Sequence, residues 1–140
     1  MIRRVLLDTN VFIDYLRDGR HAHWIEGHVA GTQRILSSVV AMELRLGADT
    51  LRRRRAVARL RAAFPAGRVL APDGAAFDRA GDLFARIWPS GSAPADRLGP
   101  MNDLLIALTA RGVGATVVTG NLDEFARIAA RLPGLSLAAP

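Results

Sequence analysis

Three carboxylates in this sequence stand beside apolar segments, where an unpaired charge is costly to bury. Asp8 follows the run VLL, Glu43 lies within MELRL, and Asp103 precedes LLIAL. Carboxylates that meet at the edges of buried elements repel one another, so they need a cation or some of them must stay protonated. Oxygen ligands in a chain without cysteine favour Mg²⁺ or Mn²⁺. The residue types therefore indicate a divalent-metal site.

Each acidic residue also has a structural interpretation. Asn102 and Asp103 could cap a helix or favour the positive end of its dipole. Glu43 could be an exposed helix carboxylate, and Asp123 and Glu124 could simply suit a helix N-terminus. The residues taken one at a time leave these alternatives open.

The elements that must position these residues alternate between strand and helix. The predicted strands cover 5–8, 34–38, 68–71, 115–119 and an edge strand at 135–138. Predicted helices follow the first strand to about 17 and cover 21–30, 39–48, 49–63, 74–88, 101–112 and 122–132. This alternation predicts an α/β three-layer sandwich, with a central, mainly parallel sheet of about five short strands flanked by helices. We expect residues 1–140 to form a single domain.

Three local features of these elements follow from the sequence. Thr9 or Asn10 is expected to cap the first helix. Met42 is placed on the apolar face of the third helix, and Phe77 on that of a later one. The segment 89–100 is rich in Pro, Gly and Ser, so it must be a loop.

In parallel α/β folds, ligands bind beyond the carboxyl ends of the strands. Asp8 and Thr119 end predicted strands, and Glu43 lies about one and a half turns into the helix after the second strand. Asp103 is predicted near the start of another helix, and Asn121 follows Thr119 closely. Four separate segments therefore direct polar side chains toward one face.

Composition excludes several classes of function. The chain has 140 residues, a net charge of +6 and nineteen basic residues, all of them arginine. Without lysine it has neither a P-loop nor a Schiff base, nor the lysine of receiver domains. The charge favours nucleic acid or an acidic protein tail as a partner. No apolar run approaches the ~20 residues of a membrane span, and the N-terminus does not read as a signal peptide, so we expect the cytoplasm.

Four segments occur in the order that PIN domains show, and they resemble in particular the VapC-type toxin ribonucleases of bacterial toxin–antitoxin pairs. LLDTNVFIDYL resembles the opening motif, with Asp8 at the first catalytic acid and Asn10 at its usual asparagine. LSSVVAMELRLGA is similar to the second motif, with Glu43 at the glutamate. MNDLLIALTA resembles the third, with Asp103 at the aspartate and Asn102 before it, and ATVVTGNLDEFARI looks like the fourth.

The fourth motif departs from the common pattern. Many members have an aspartate two residues after its threonine, where this chain has the uncharged Asn121. The resemblance therefore implies one metal held by Asp8 and Asp103, with Glu43 close by, directly or through water. Asn121 would join Thr119 and Glu124 in supporting these ligands or forming a weak second site. The residues expected to support the ligands are Asn10, Ser38, Asn102, Thr119 and Glu124.

The resemblance implies that the chain is a toxin and an endoribonuclease. It implies dependence on Mg²⁺, with Mn²⁺ as an alternative. It would hydrolyse RNA to a 5′-phosphate and a 3′-hydroxyl, with Asp8, Glu43, Asp103 and Asn121 as catalytic residues. The implied partners are a VapB-type antitoxin with an acidic tail and a second copy of the chain, in a higher assembly with the antitoxin. The run Arg52, Arg53, Arg54 and Arg55 could contact RNA or antitoxin, or form a solvated helix face.

Other functions remain as alternatives. A haloacid-dehalogenase-like phosphatase also begins with a strand-end aspartate, but it needs a second acid at the position of Asn10. A PIN ribonuclease of RNA processing, outside any toxin system, would share the same motifs. A PIN-like binding module with a weakened site is the alternative that Asn121 suggests. His21 and His23 could ligate zinc, although a solvated helix face explains them as well.

Overall fold

A parallel sheet of five short strands forms the centre of the computed structural model, which describes residues 1–89 and 96–140. The strands are β1 (Arg3–Leu7), β2 (Thr32–Ser37), β3 (Val69–Leu70), β4 (Thr116–Val118) and β5 (Ser136–Ala138). Their order across the sheet is β3-β2-β1-β4-β5, and all neighbouring strands are parallel. Helices flank this sheet, so the predicted three-layer α/β sandwich is confirmed.

Helices connect the strands throughout the described ranges. They are α1 (Thr9–Asp18), α2 (Ala22–Ile25), α3 (Ser38–Gly47), α4 (Leu51–Ala62), α5 (Gly74–Ile87), α6 (Leu98–Gly112) and α7 (Leu122–Ala129), with a 3-10 turn at Ala66–Arg68. Among the residues that the structure describes, none of these helices combines the length and the apolar character that crossing a bilayer requires.

Strand β1 lies at the middle of the sheet and fixes the position of the candidate site. Its residues Val5, Leu6 and Leu7 are all 0% exposed, as expected for a parallel strand covered on both faces. The chain runs outward from β1 through β2 to β3 and then crosses to β4 on the other side of β1. Ligand sites in such sheets form where the strand order reverses in this way. Asp8 and Thr119, which follow β1 and β4, lie at that point.

The start of α1 differs from the prediction. Neither Thr9 nor Asn10 caps the helix, because Asp8 occupies the N-cap position and accepts a hydrogen bond from the Thr9 backbone N–H. The predicted helix at 21–30 is reduced to the four residues of α2. Gly27, with a φ of 67°, is in the left-handed region just beyond it, where the chain turns toward β2.

Two residues that were predicted to lie on the apolar faces of their helices are exposed. Met42 is 41% exposed and Phe77 is 56% exposed. Helix α3 instead turns Val40 and Leu44 inward, and α5 buries Leu83 and Ile87. Packing against the sheet and α1, α4 and α6 selects the inward stripe, which periodicity alone did not identify.

Helix α6 begins earlier than the prediction placed it. It starts at Leu98, so Asn102 and Asp103 lie in its second turn, and the alternative that they cap this helix is wrong. The predicted loop 89–100 therefore ends sooner, and its residues 90–95 lie outside the described ranges. The second turn of α6 carries Asp103 toward the carboxyl end of the sheet.

Candidate functional site

Asp8 is a buried carboxylate that accepts three hydrogen bonds from residues around it. Its side chain is at the carboxyl end of β1, where the residue is only 4% exposed. Oδ1 accepts from the Thr9 backbone N–H at 2.8 Å. Oδ2 accepts from Asn10 Nδ2 at 2.9 Å and from the Thr119 hydroxyl at 2.8 Å. Burial raises the pKa of Asp8, while the hydrogen bonds from Thr119, Thr9 and Asn10 oppose that shift.

Asn10 and Thr119 hold the start of α1 against the loop after β4. Asn10 Nδ2 also lies 3.3 Å from Thr119 Oγ1, and Asn10 Oδ1 accepts from the Gly120 backbone N–H at 2.9 Å. A Cβ at Gly120 would lie 3.4 Å from Asn10 Oδ1, so the backbone approaches closely here. The fully buried Thr119 gives its one hydroxyl proton to Asp8 and accepts from the Asn121 backbone N–H at 2.9 Å.

Glu43 reaches the same region from α3. The residue is half-buried, and its Oε1 accepts a hydrogen bond from the Thr9 hydroxyl at 2.7 Å. The other oxygen, Oε2, has no hydrogen-bond partner among residues 1–89 and 96–140. Sequence reasoning missed Thr9, for which the available signal was a hydroxyl directly after a strand-end acid.

The surroundings of Asp103 shift its pKa strongly. It is half-buried on α6, and its pKa is raised to about 7. Loss of solvation is the largest cause, followed by the negative charges of Asp8, Glu43 and Glu124. These carboxylates are therefore near enough to act on one another electrostatically, as the sequence predicted for three of them.

The donor chemistry suits a hard divalent cation. Asp8, Glu43, Asp103 and Glu124 form a carboxylate cluster in which every side chain offers oxygen ligands. A cation would offset the mutual repulsion that helps to raise the pKa of Asp103. In the described ranges, however, no group of three or more His, Cys, Asp or Glu side chains is already gathered closely enough to hold a metal. The carboxylates thus fit a metal in type and charge, although three of them are not gathered as a ready set of ligands in the described residues.

Other predicted residues lie around the cluster at varying distance from the carboxylates. Asn121 is exposed at the N-cap position of α7, and its side chain makes no cap hydrogen bond. Glu124 is exposed on the same helix, and its charge reaches Asp103. Asn102 is 6% exposed beside Asp103. Ser38 lines a cavity of about 470 Å³ between α3 and α4, and no hydrogen bond from its side chain to the carboxylates is found in the described residues; the cap of α3 is Ser37.

The arginine run lies on the exposed side of α4. Arg53 pairs with Asp49 at 2.6 Å, and the Arg54 Nε donates to the Ala48 carbonyl at 3.3 Å. Arg52 and Arg53 line a groove of about 690 Å³ that also reaches Glu43. No hydrogen bond or ion pair of Arg55 is found in the parts of the chain that the structure describes. The run therefore borders the carboxylate cluster without contacting Asp8.

The histidines have a structural explanation. His21 Nε2 lies 3.2 Å from Asp14 Oδ2, and His21 is in the left-handed region with a φ of 64° at the start of α2. The His23 ring lies against Trp24, with ring centroids 5.5 Å apart. The His21 contact joins the start of α2 to α1, and the His23 contact lies within α2.

The PIN domain family matches residues 5–131, and the chain belongs to that family. Proteins of this family are generally nucleases, and they typically use divalent metals. No curated protein sequence gives a significant match.

Solved structures share the fold over almost the whole chain. A chain from DNA-bound VapBC of Salmonella typhimurium is 28% identical, with a TM-score of 0.69 and coverage of 99% of this chain and 98% of that one. A chain of VapBC2 from Rickettsia felis, bound to a DNA fragment from its promoter, is 24% identical, with a TM-score of 0.70 and 98% of both chains covered. VapBC-5 from Mycobacterium tuberculosis, of the VapBC family of toxin–antitoxin systems, is 24% identical, with a TM-score of 0.60 and coverage of 97% and 96%.

Proposed function

We propose that this chain is a metal-dependent endoribonuclease and the toxin of a VapBC-type toxin–antitoxin pair. The observation that carries the proposal is the electrostatic coupling of Asp103 to Asp8, Glu43 and Glu124 at the carboxyl end of the sheet. Membership of the PIN domain family supports nuclease chemistry. The 28% identity to a VapBC chain over nearly the whole length supports the toxin role.

Asp8 and Asp103 are proposed to hold one Mg²⁺, or Mn²⁺ as an alternative, with Glu43 close by. When bound, the cation supplies Lewis acidity toward water and phosphate. Asn10 and Thr119 keep Asp8 in place through their hydrogen bonds to Oδ2. Oε2 of Glu43, which has no hydrogen-bond partner among residues 1–89 and 96–140, is suited to orient or deprotonate the attacking water. Hydrolysis is proposed to leave a 5′-phosphate and a 3′-hydroxyl.

Supporting roles are proposed for the residues that surround Asp8, Asp103 and Glu43. Asn121 adds hydrogen-bonding capacity without charge, and Glu124 adds charge at the rim, so both are proposed to support the metal or to form a weak second site. Asn102 is proposed to fix the turn of α6 that carries Asp103.

The proposed partners follow from the charge and from the related complexes. An antitoxin of VapB type with an acidic tail is proposed to meet the arginines beside the Glu43 groove, since guanidinium forks suit carboxylates. A homodimer, its higher assembly with antitoxin, and a cytoplasmic location belong to the same proposal. The proposal also includes that residues 1–140 act as a single PIN domain.

RNA cleavage by the purified chain tests this function directly. Cleavage is expected with Mg²⁺, should stop with EDTA, and should be lost in Asp8→Asn, whereas Asp82→Asn on the exposed side of α5 should cleave normally. Undiminished cleavage by Asp8→Asn would overturn the assignment of the site. RNA binding without cleavage would favour the binding module instead. Cleavage that no acidic-tailed partner inhibits would favour a ribonuclease outside a toxin system.

A further inference from the structure

We propose that Thr9 is a positioning residue that fixes the orientation of the Glu43 carboxylate, an inference that rests on the proposed function. Thr9 is neither a metal ligand nor the cap of α1 in the arrangement described above. Its two donors nevertheless go to two different carboxylates of the cluster. It is therefore the residue through which Asp8 and Glu43 are held in a fixed relation.

The two hydrogen-bond donors of Thr9, its backbone N–H and its hydroxyl, have different acceptors. Its backbone N–H lies 2.8 Å from Asp8 Oδ1, so the residue is anchored to the end of β1. Its hydroxyl lies 2.7 Å from Glu43 Oε1, a short distance typical of a hydroxyl that donates to a charged acceptor. A hydroxyl has only one proton, so Thr9 commits that proton to Glu43.

This hydrogen bond restricts a side chain that would otherwise be mobile. Glutamate loses substantial rotamer freedom when it is held in place, and Glu43 has no other hydrogen bond to the described residues. With Oε1 occupied by Thr9, the carboxylate presents Oε2 as its free oxygen. A catalytic carboxylate loses efficiency when its direction is not fixed, because reacting groups need close alignment.

Two substitutions separate the hydroxyl from the shape of the side chain. Thr9→Val keeps the β-branched shape and removes the hydroxyl, whereas Thr9→Ser keeps the hydroxyl and removes a methyl group. The matched control is Thr116→Val on β4, which removes the hydroxyl hydrogen bond of 3.1 Å to Ser136. Thr116 and Ser136 begin β4 and β5, so they lie at the amino ends of the strands, opposite the site. All three variants should fold, which circular dichroism and thermal melting will establish.

In the cleavage assay, Thr9→Val should lower kcat about 10- to 100-fold, the range for losing a hydrogen bond to a charged group, with KM changed less than about twofold. Thr9→Ser should stay within about threefold of the wild type, and Thr116→Val should be unchanged. Equal kcat losses in the valine and serine variants of Thr9, or a valine variant that matches Thr116→Val, would overturn the proposal.

Mn²⁺ binding to the free protein, measured by calorimetry, provides a readout that needs no RNA cleavage. Thr9→Val should weaken binding about tenfold and Thr9→Ser should not, and the effect of Thr9→Val should vanish in a Glu43→Ala background. Persistence of the effect without Glu43 would overturn the positioning role. If the wild type binds Mn²⁺ but does not cleave RNA, the proposed function fails while this measurement still decides the role of Thr9. If the wild type neither binds Mn²⁺ nor cleaves RNA, the proposed function and the proposed role of Thr9 both fail.

Discussion

Asp103→Asn should make the metal-free protein more stable while it abolishes cleavage. The Asp103 pKa is about 7 in the folded chain, against an ordinary value of 3.8. The folded state therefore binds more protons than the unfolded state between these values, so stability falls as pH rises through that window. The difference between these two pKa values corresponds to about 4 kcal/mol of destabilisation at pH 8, and to less than about 1 kcal/mol at pH 4.

Asparagine removes the charge and keeps the shape. The free energy of unfolding in EDTA should rise by up to about 4 kcal/mol at pH 8, and Tm by roughly 10 °C, with the gain shrinking toward pH 4. Urea unfolding at several pH values measures this, with the exposed Asp82→Asn as the control. Mg²⁺ should stabilise the wild type and not the variant, because binding to the folded state alone raises stability.

A different outcome would refute the reasoning from the charges. If Asp103→Asn is no more stable than the wild type at pH 8, the repulsion from Asp8, Glu43 and Glu124 does not act on the folded state as described. If the gain is the same at pH 4 and pH 8, the stabilisation has a cause other than the ionisation of Asp103.

Two further changes test the surroundings of Asp8. Asn10→Ala removes the amide that contacts Asp8, Thr119 and Gly120, and urea unfolding should show a loss of about 1–3 kcal/mol. Gln33→Ala on β2, which removes an exposed contact to Arg4 of β1, should cost less, and equal losses would contradict the bracing role of Asn10. Asn121→Asp should raise the Mn²⁺ stoichiometry from one to two in calorimetry, since it adds the missing charge; a value that stays at one would show that this residue does not limit the site.

The sequence predicted those features that depend on local patterns. The apolar run before Asp8 identified the central strand, because a parallel strand buried on both faces must be continuously apolar. The carboxyl-end rule then placed Asp8 and Thr119 together, although they are 111 residues apart.

Features that depend on how helices pack were not predictable in this way. Met42 and Phe77 are on exposed faces because neighbouring elements, rather than periodicity, select the buried stripe of each helix. The hydrogen bond between Thr9 and Glu43 joins residues 34 positions apart on α1 and α3, and no spacing rule connects them. The closeness of Asp103 to the other carboxylates likewise depends on the early start of α6.

The pairing of β1 with β4 has a consequence for biosynthesis. Asp8 is made 111 residues before Thr119, whose hydroxyl holds it, and well before Val118, whose carbonyl accepts from its backbone N–H. Such distant contacts form late because a long loop must close first. A nascent chain on the ribosome therefore lacks the hydrogen bonds that hold Asp8 until β4 has emerged, so the proposed site is incomplete before then.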